Sequence, residues 1–238
     1  NYCKEILNQH QQNEIILGDK NPIYSLFGNT LQENFPEAKF IWIIRDYRAQ
    51  VNSMLKVNFE KKIISSLAAR WVAYNKEIEK LKLNHPNKVL RVKYEELVNN
   101  PKKNYTTICS FFNIPYDSTI LDTKKNDKEF LPKHHKSLKE KINTSHIDEW
   151  KTQLTESQIK ICETVAGNYG RRFGYQEIHH PKAPITFNIY LGILYGKLYV
   201  LFIKAMYNLP LWLRELINKQ LIYKNATFWK EANKHYNN

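Results

Sequence analysis

The sequence predicts an α/β fold in which a parallel sheet is flanked by helices. Three observations point there. Residues 40–44, Phe-Ile-Trp-Ile-Ile, form a continuous apolar run that stops abruptly at Arg45-Asp46 and passes into a helix-like stretch. Such a run reads as a parallel strand covered on both faces. Residues 88–92 form a second short run that again leads into helical sequence. Between the two, Leu67, Trp71, Tyr74, Ile78 and Leu81 recur at three and four positions, the period of a long amphipathic helix whose aromatic stripe faces the core. Strands alternating with helices of this length indicate βα units.

The elements follow in order. Residues 14–17 read as a short strand and 24–35 as a helix with Leu26, Leu31 and Phe35 on its apolar side. After the strand at 40–44, Asp46 stands where it can cap the next helix. Asn100 can cap a further helix that carries Pro101 in its first turn. Residues 117–146 are polar, irregular and rich in lysine, the character of a loop or linker. Thr155-Glu156-Ser157-Gln158 has the pattern of a capping box and opens a helix that ends at Gly170-Arg-Arg-Phe-Gly-Tyr175.

After Pro184 the character changes. Residues 185–213 are largely apolar and aromatic but are interrupted by Lys197, Lys204 and Pro210, short of an uninterrupted membrane span. Two helices split near Pro210 fit better. They would pack on the domain or a second subunit, or lie in a membrane interface beside Tyr190, Tyr195, Tyr199, Trp212 and Trp229.

The 238 residues suffice for one core with an appended tail. A formal net charge of +13 suits a polyanionic ligand, an acidic acceptor or an anionic membrane. Charge alone does not separate these from nucleic acid. The three cysteines are an odd number, widely spaced and without a Cys-x-x-Cys pair, which argues against a disulfide framework. Cys109 and Cys162 fall in apolar helical patterns as core thiols. His134 and His135 are adjacent and joined by no cluster of thiols or carboxylates, so no metal is expected.

Arg45 falls at the carboxyl end of its strand, where open α/β sheets bind ligands, and Ser53 lies eight positions later within the following helix. A guanidinium and a hydroxyl near a helix N-terminus suit a phosphate, because the fork supplies paired charged bonds and the backbone amides favour an anion. A surface arginine with an incidental serine would give the same spacing.

Arg45-Asp46-Tyr47-Arg48 with Ser53 resembles the 3′-phosphate-binding motif of sulfotransferases that use PAPS (3′-phosphoadenosine 5′-phosphosulfate), with Tyr47 where that family usually has proline. Residues 89–101, Val-Leu-Arg-Val-Lys-Tyr-Glu-Glu-Leu-Val-Asn-Asn-Pro, resemble the family's strand, Tyr-Glu-Asp/Glu-Leu element and Pro-started helix. Phe111, Phe112, Asn113, Ile114 and Pro115 resemble the closure of that helix, and Gly18-Asp19-Lys20-Asn21-Pro22 resembles the Lys-Pro element of membrane-type and bacterial members. Together these matches cover roughly residues 15–175.

The resemblance implies a P-loop-containing nucleotide hydrolase-like fold, with a sulfotransferase domain over 1–182 and a C-terminal helical tail over 183–238. It implies transfer of a sulfuryl group from PAPS to a hydroxyl or amine of a carbohydrate, peptide or lipid, leaving adenosine 3′,5′-bisphosphate and needing no metal. Arg45 and Ser53 would hold the 3′-phosphate, Tyr94 would contact the adenosine, and Ser137 and Lys141 are further candidates for the nucleotide. Lys20 would act electrostatically near the transferring group. The family's opening strand and its Ser/Gly/Thr-rich phosphate loop have no match here, so they are expected before residue 1, together with the general base, and residues 1–12 would then be the remainder of an early helix. A non-catalytic nucleotide- or nucleic-acid-binding module and a nucleotide kinase are the alternatives, although no Gly-Lys-Ser/Thr loop occurs. Nucleic acid is the less favoured partner. Self-association or peripheral membrane contact is expected through residues 185–223. A cytoplasmic, membrane-associated location is expected, with the Golgi lumen left open.

Overall fold

The computed structural model describes residues 16–58, 60–121, 144–179, 182–210, 212–214 and 216. The expected early helix at 1–12 and most of the loop at 117–146 lie outside them. Ile16 and Leu17 form no strand. The helix expected at 24–35 divides into a 3-10 turn, Pro22–Phe27, and α1, Gly28–Asn34. Pro22 starts the turn, and the Asn21 side chain accepts from the Ile23 N–H at 3.1 Å.

Two parallel strands form the sheet among the described residues: β1, Phe40–Ile44, and β2, Val89–Lys93. Their register pairs Phe40 with Val89 and Ile44 with Lys93. The crossover is α2, Tyr47–Lys56, followed by α3, Ile64–Asn84. Asp46 caps α2 as expected, its carboxylate accepting from the Arg48 N–H at 2.8 Å. After β2 come α4, Tyr94–Asn99, and α5, Pro101–Phe112, which closes at Asn113 in the left-handed region. Asn100 stands at the N-cap of α5 but makes no side-chain cap; its carbonyl accepts instead from Asn104.

The expectation that β1 is covered on both faces needs correction. Trp42 and Ile44 are buried, whereas Ile41 is 38% and Ile43 53% exposed. The cause is the placement of the helices. The face of Trp42 and Ile44 packs on the core that α3 helps to build, while α4 and α5 pack against β2 and leave the other face of β1 open among the described residues.

The chain returns over this core through two short helices, α6, Ser145–Asp148, and α7, Trp150–Gln153, then α8, Glu156–Cys162. Thr155 and Gln158 form the reciprocal capping box that their spacing predicts. The helix widens into a π turn at Glu163–Gly167 and tightens to a 3-10 turn at Arg171–Phe173, stopped by Gly174 at a positive φ. Trp42, Tyr47, Trp71, Tyr169 and Phe173 form the aromatic centre of the core, with edge-on rings 5.1–5.7 Å apart. Cys109 and Cys162 are buried thiols, and burial pushes Cys162 up to about 12, so it stays neutral.

The tail begins with one helix, α9, Phe187–Asn208, which ends just before Pro210. By length and composition alone it is apolar enough to cross a membrane, although Lys197 and Lys204 interrupt it. It lies along α3. Gly192 and Gly196 permit the approach: a Cβ at Gly196 would stand 2.7 Å from the carbonyl oxygen of Ser66.

Candidate functional site

The register of the sheet sets the geometry. Because Ile44 pairs with Lys93, the next residues, Arg45 and Tyr94, leave the sheet side by side at its carboxyl edge. The Arg45 guanidinium lies 4.4 Å from the centre of the Tyr94 ring. This stacking holds the charge over an aromatic face. One Nη of Arg45 donates to the His146 carbonyl at 2.5 Å, and its Nε is buried without a hydrogen-bond partner among the described residues. A buried donor of this kind matches an anionic ligand that would accept from it.

The backbone around Arg45 is fixed from three sides. Trp71 Nε1 donates to the Arg45 carbonyl at 3.1 Å. The Asp46 N–H donates to Glu95 at 2.9 Å, and the Tyr175 hydroxyl donates to the other oxygen of Glu95 at 3.0 Å. Glu95 therefore orients the strand end, as its place beside Tyr94 suggests. Burial, reinforced by Glu95, pushes the Tyr175 hydroxyl far above its ordinary range, so it remains a donor at neutral pH.

Arg48 turns the other way. Its guanidinium is buried between Asp46, at 2.7 Å, and Glu163, at 2.9 Å, and lies 4.1 Å over the Trp150 ring. Glu163 in turn accepts from the N–H groups of Ile178 and His179. Arg48 is thus a structural cation, and the only arginine of the pair free to face a ligand is Arg45. Tyr47, the departure from proline, is wholly buried, and the position matters more than a turn residue would. It packs so closely on Gly170 that a Cβ there would stand 2.6 Å from its ring.

Ser53 is half-buried on α2, and neither it nor Lys20 is hydrogen-bonded to Arg45. Lys20 is exposed in the loop before the 3-10 turn, its N–H donating to Asp19 at 2.7 Å. Ser137 and Lys141 lie outside the described residues. Sequence reading missed His146, whose contribution is a backbone carbonyl and so leaves no side-chain signal. The same segment is tied to α2 by Glu149, which bonds Lys56 at 2.7 Å and His146 at 2.6 Å. The bonded Lys56 ammonium holds the Glu149 carboxyl below its usual range.

A profile described as the sulfotransferase family matches residues 1–118. The chain belongs to the sulfotransferase family. Relatives of this sulfotransferase include a putative protein-tyrosine sulfotransferase of Caenorhabditis elegans, 29% identical over 178 residues, which cover 69% of this chain and 68% of that protein. Protein-tyrosine sulfotransferase 1 of Danio rerio is 35% identical over 125 residues, 50% of this chain and 35% of its own length. The chain thus spans between about a third and two thirds of the length of these curated relatives.

Among solved structures, the sulfotransferase domain from the curacin biosynthetic pathway matches with a TM-score of 0.54 at 21% identity, covering 71% of this chain and 67% of that one. At that identity the likeness speaks for the fold, an α/β sulfotransferase fold with a parallel sheet. Enzymes of this family transfer sulfate from an activated donor, and neither a kinase nor a nucleic-acid module is favoured for this sulfotransferase.

Proposed function

We propose that this sulfotransferase moves a sulfuryl group from PAPS to the phenolic oxygen of tyrosine in a protein, and that Arg45, Ser53 and Tyr94 form the 3′-phosphate and adenosine side of its donor site. The observation that carries the reading is Arg45 itself: a guanidinium stacked on Tyr94 at the carboxyl edge of the sheet, with a buried Nε still to be satisfied, directly before the N-terminus of α2. A phosphate fits that donor set. Ser53 on α2 and, beyond the described residues, Ser137 and Lys141 are proposed as further phosphate ligands. The named activity of the relatives supports tyrosine as acceptor. The net charge of +13 suits an acidic peptide around it.

PAPS supplies an activated sulfuryl group whose bond to the bridging phosphate oxygen breaks as a bond to the acceptor oxygen forms, the phenolic proton leaving to a base. Within this chain Arg45 binds and orients the nucleotide, and Tyr94 gives the purine a flat surface with a polar tip. Lys20, exposed before the 3-10 turn, is proposed to meet the negative charge that develops on the leaving oxygen.

In the full-length protein, Arg45→Ala should weaken binding of adenosine 3′,5′-bisphosphate about ten- to a hundredfold, the effect of losing a charged hydrogen bond from a partly buried site. AMP, which lacks the 3′-phosphate, should lose far less. Equal losses for the two ligands in titration calorimetry would remove Arg45 from the clasp. Lys20→Ala should lower turnover more than affinity for the bisphosphate, because a group that matters in the transition state acts on rate. Unchanged turnover would exclude it. The acceptor is tested with an acidic peptide carrying tyrosine and its phenylalanine counterpart. Sulfate transferred to a sugar but not to the tyrosine peptide would reject tyrosine while leaving the family's chemistry intact.

A further inference from the structure

The outer face of α9 has no role in the nucleotide site. Its inner face is committed to α3. Ile189, Gly192, Gly196, Val200 and Met206 are buried, a Cβ at Gly192 would meet Ser65 Oγ at 1.9 Å, and Lys204 pairs with Glu77 at 3.0 Å. Arg70 stacks on Tyr199, 4.0 Å from the ring centre. A helix gripped along one side by polar, ion-paired protein cannot be surrounded by lipid as a bilayer span without breaking those contacts.

The opposite side is apolar throughout its length. Phe187, Leu191, Leu194, Leu198 and Leu201 are exposed at spacings of four, three, four and three, with Phe202 beside them. At 1.5 Å per residue the stripe runs about 22 Å. Contiguous exposed apolar residues of this kind mark an interaction surface.

Charge decides between the occupants. Residues 182–214 carry Lys182, Lys197, Lys204 and Arg214 and no aspartate or glutamate. Lys197 is exposed on the flank of the stripe, and Tyr190 and Trp212 are exposed toward its two ends. A second copy would bring the same cations to the seam with no carboxylate on this segment to answer them. Anionic lipid supplies the opposite charge, the aromatic rings suit the headgroup level, and lysine can snorkel to the phosphates.

We propose that the outer face of α9 rests in the plane of an anionic lipid bilayer, with Phe187, Leu191, Leu194, Leu198, Leu201 and Phe202 in the acyl boundary and Lys197 at the headgroups. The domain is held peripherally, with α9 parallel to the surface and α3 between it and the core.

The test is flotation of the full-length protein with vesicles of phosphatidylcholine alone and of a mixture, roughly two parts to one, with phosphatidylserine. Binding is expected to the mixed vesicles, reduced severalfold by high salt and weak on phosphatidylcholine. Leu194→Asp with Leu198→Asp should abolish binding while the thermal melt and affinity for adenosine 3′,5′-bisphosphate stay unchanged. Lys197→Glu, a milder exposed change that keeps the stripe, should lower binding to the mixed vesicles by at least about fivefold. Failure of the unaltered protein to float would overturn the proposal. So would a stable dimer in light scattering that the leucine substitutions dissociate, since the stripe would then be a self-interface. Binding that is indifferent to lipid charge and resists salt and alkaline extraction would show a spanning helix instead.

Discussion

Replacing Glu163 with alanine is expected to destabilise the fold by about 3–5 kcal/mol, the cost of breaking a buried ion pair from one side. Arg48 is 4% exposed at its side chain and Glu163 0%, so no solvent replaces the lost partner. Asp46 still engages Nε and one Nη of Arg48, at 3.0 and 2.7 Å, but the remaining Nη loses its acceptor. The N–H groups of Ile178 and His179 lose theirs as well. Glu163→Gln keeps the shape and one acceptor oxygen and should lose less. Urea unfolding monitored by fluorescence and circular dichroism measures both variants. In a double-mutant cycle, Arg48→Ala and Glu163→Ala together should cost clearly less than the sum of the two. A loss below about 1 kcal/mol for Glu163→Ala would mean that the network contributes little to stability.

Trp71→Ala should cost a similar amount, about 3–5 kcal/mol, for a different reason. The indole packs edge-on against Tyr47 and Tyr169 at 5.6 and 5.7 Å, and its removal leaves a cavity in the aromatic centre. It also removes the donor to the Arg45 carbonyl. Trp71→Phe separates the two contributions. A phenyl ring fills most of the volume but donates nothing, so its cost should fall nearer the roughly 1 kcal/mol typical of one hydrogen bond, plus partial loss of packing. Differential scanning calorimetry gives both values. Equal destabilisation by alanine and phenylalanine would show that the hydrogen bond, not the packing, dominates at this position.

The two largest effects both fall on residues that surround the candidate site without touching a nucleotide. Glu163 holds Arg48, Arg48 holds Asp46, and Asp46 caps α2 directly after Arg45. The site's precision therefore depends on a return of the chain more than a hundred residues downstream. Tyr47 shows the same dependence. Where a proline would only pre-set a backbone angle, the tyrosine fills the core and requires Gly170 beneath it. Its hydroxyl is buried without a hydrogen-bond partner among the described residues, and burial raises its pKa far above the ordinary value.

By itself the sequence determined what depends on neighbours along the chain. The apolar run at 40–44 and its sharp end in charge placed β1 and the start of α2. Asp46 and the Thr155–Gln158 pair marked helix starts by bonds that span two or three residues. The period of Leu67, Trp71, Ile78 and Leu81 identified a helix and its buried side. Each is a local regularity, fixed by backbone geometry and written in the spacing of side chains. Tertiary structure alone decided the rest. It turned Arg48 inward and left Arg45 at the sheet edge, although both stand in one motif. It brought Tyr94 against Arg45 through strand register, left Ile41 and Ile43 uncovered, and laid the apolar tail along α3 through Gly192 and Gly196. These outcomes depend on which surfaces meet across long stretches of chain, and a pairing between distant residues leaves no periodicity in the sequence of either partner.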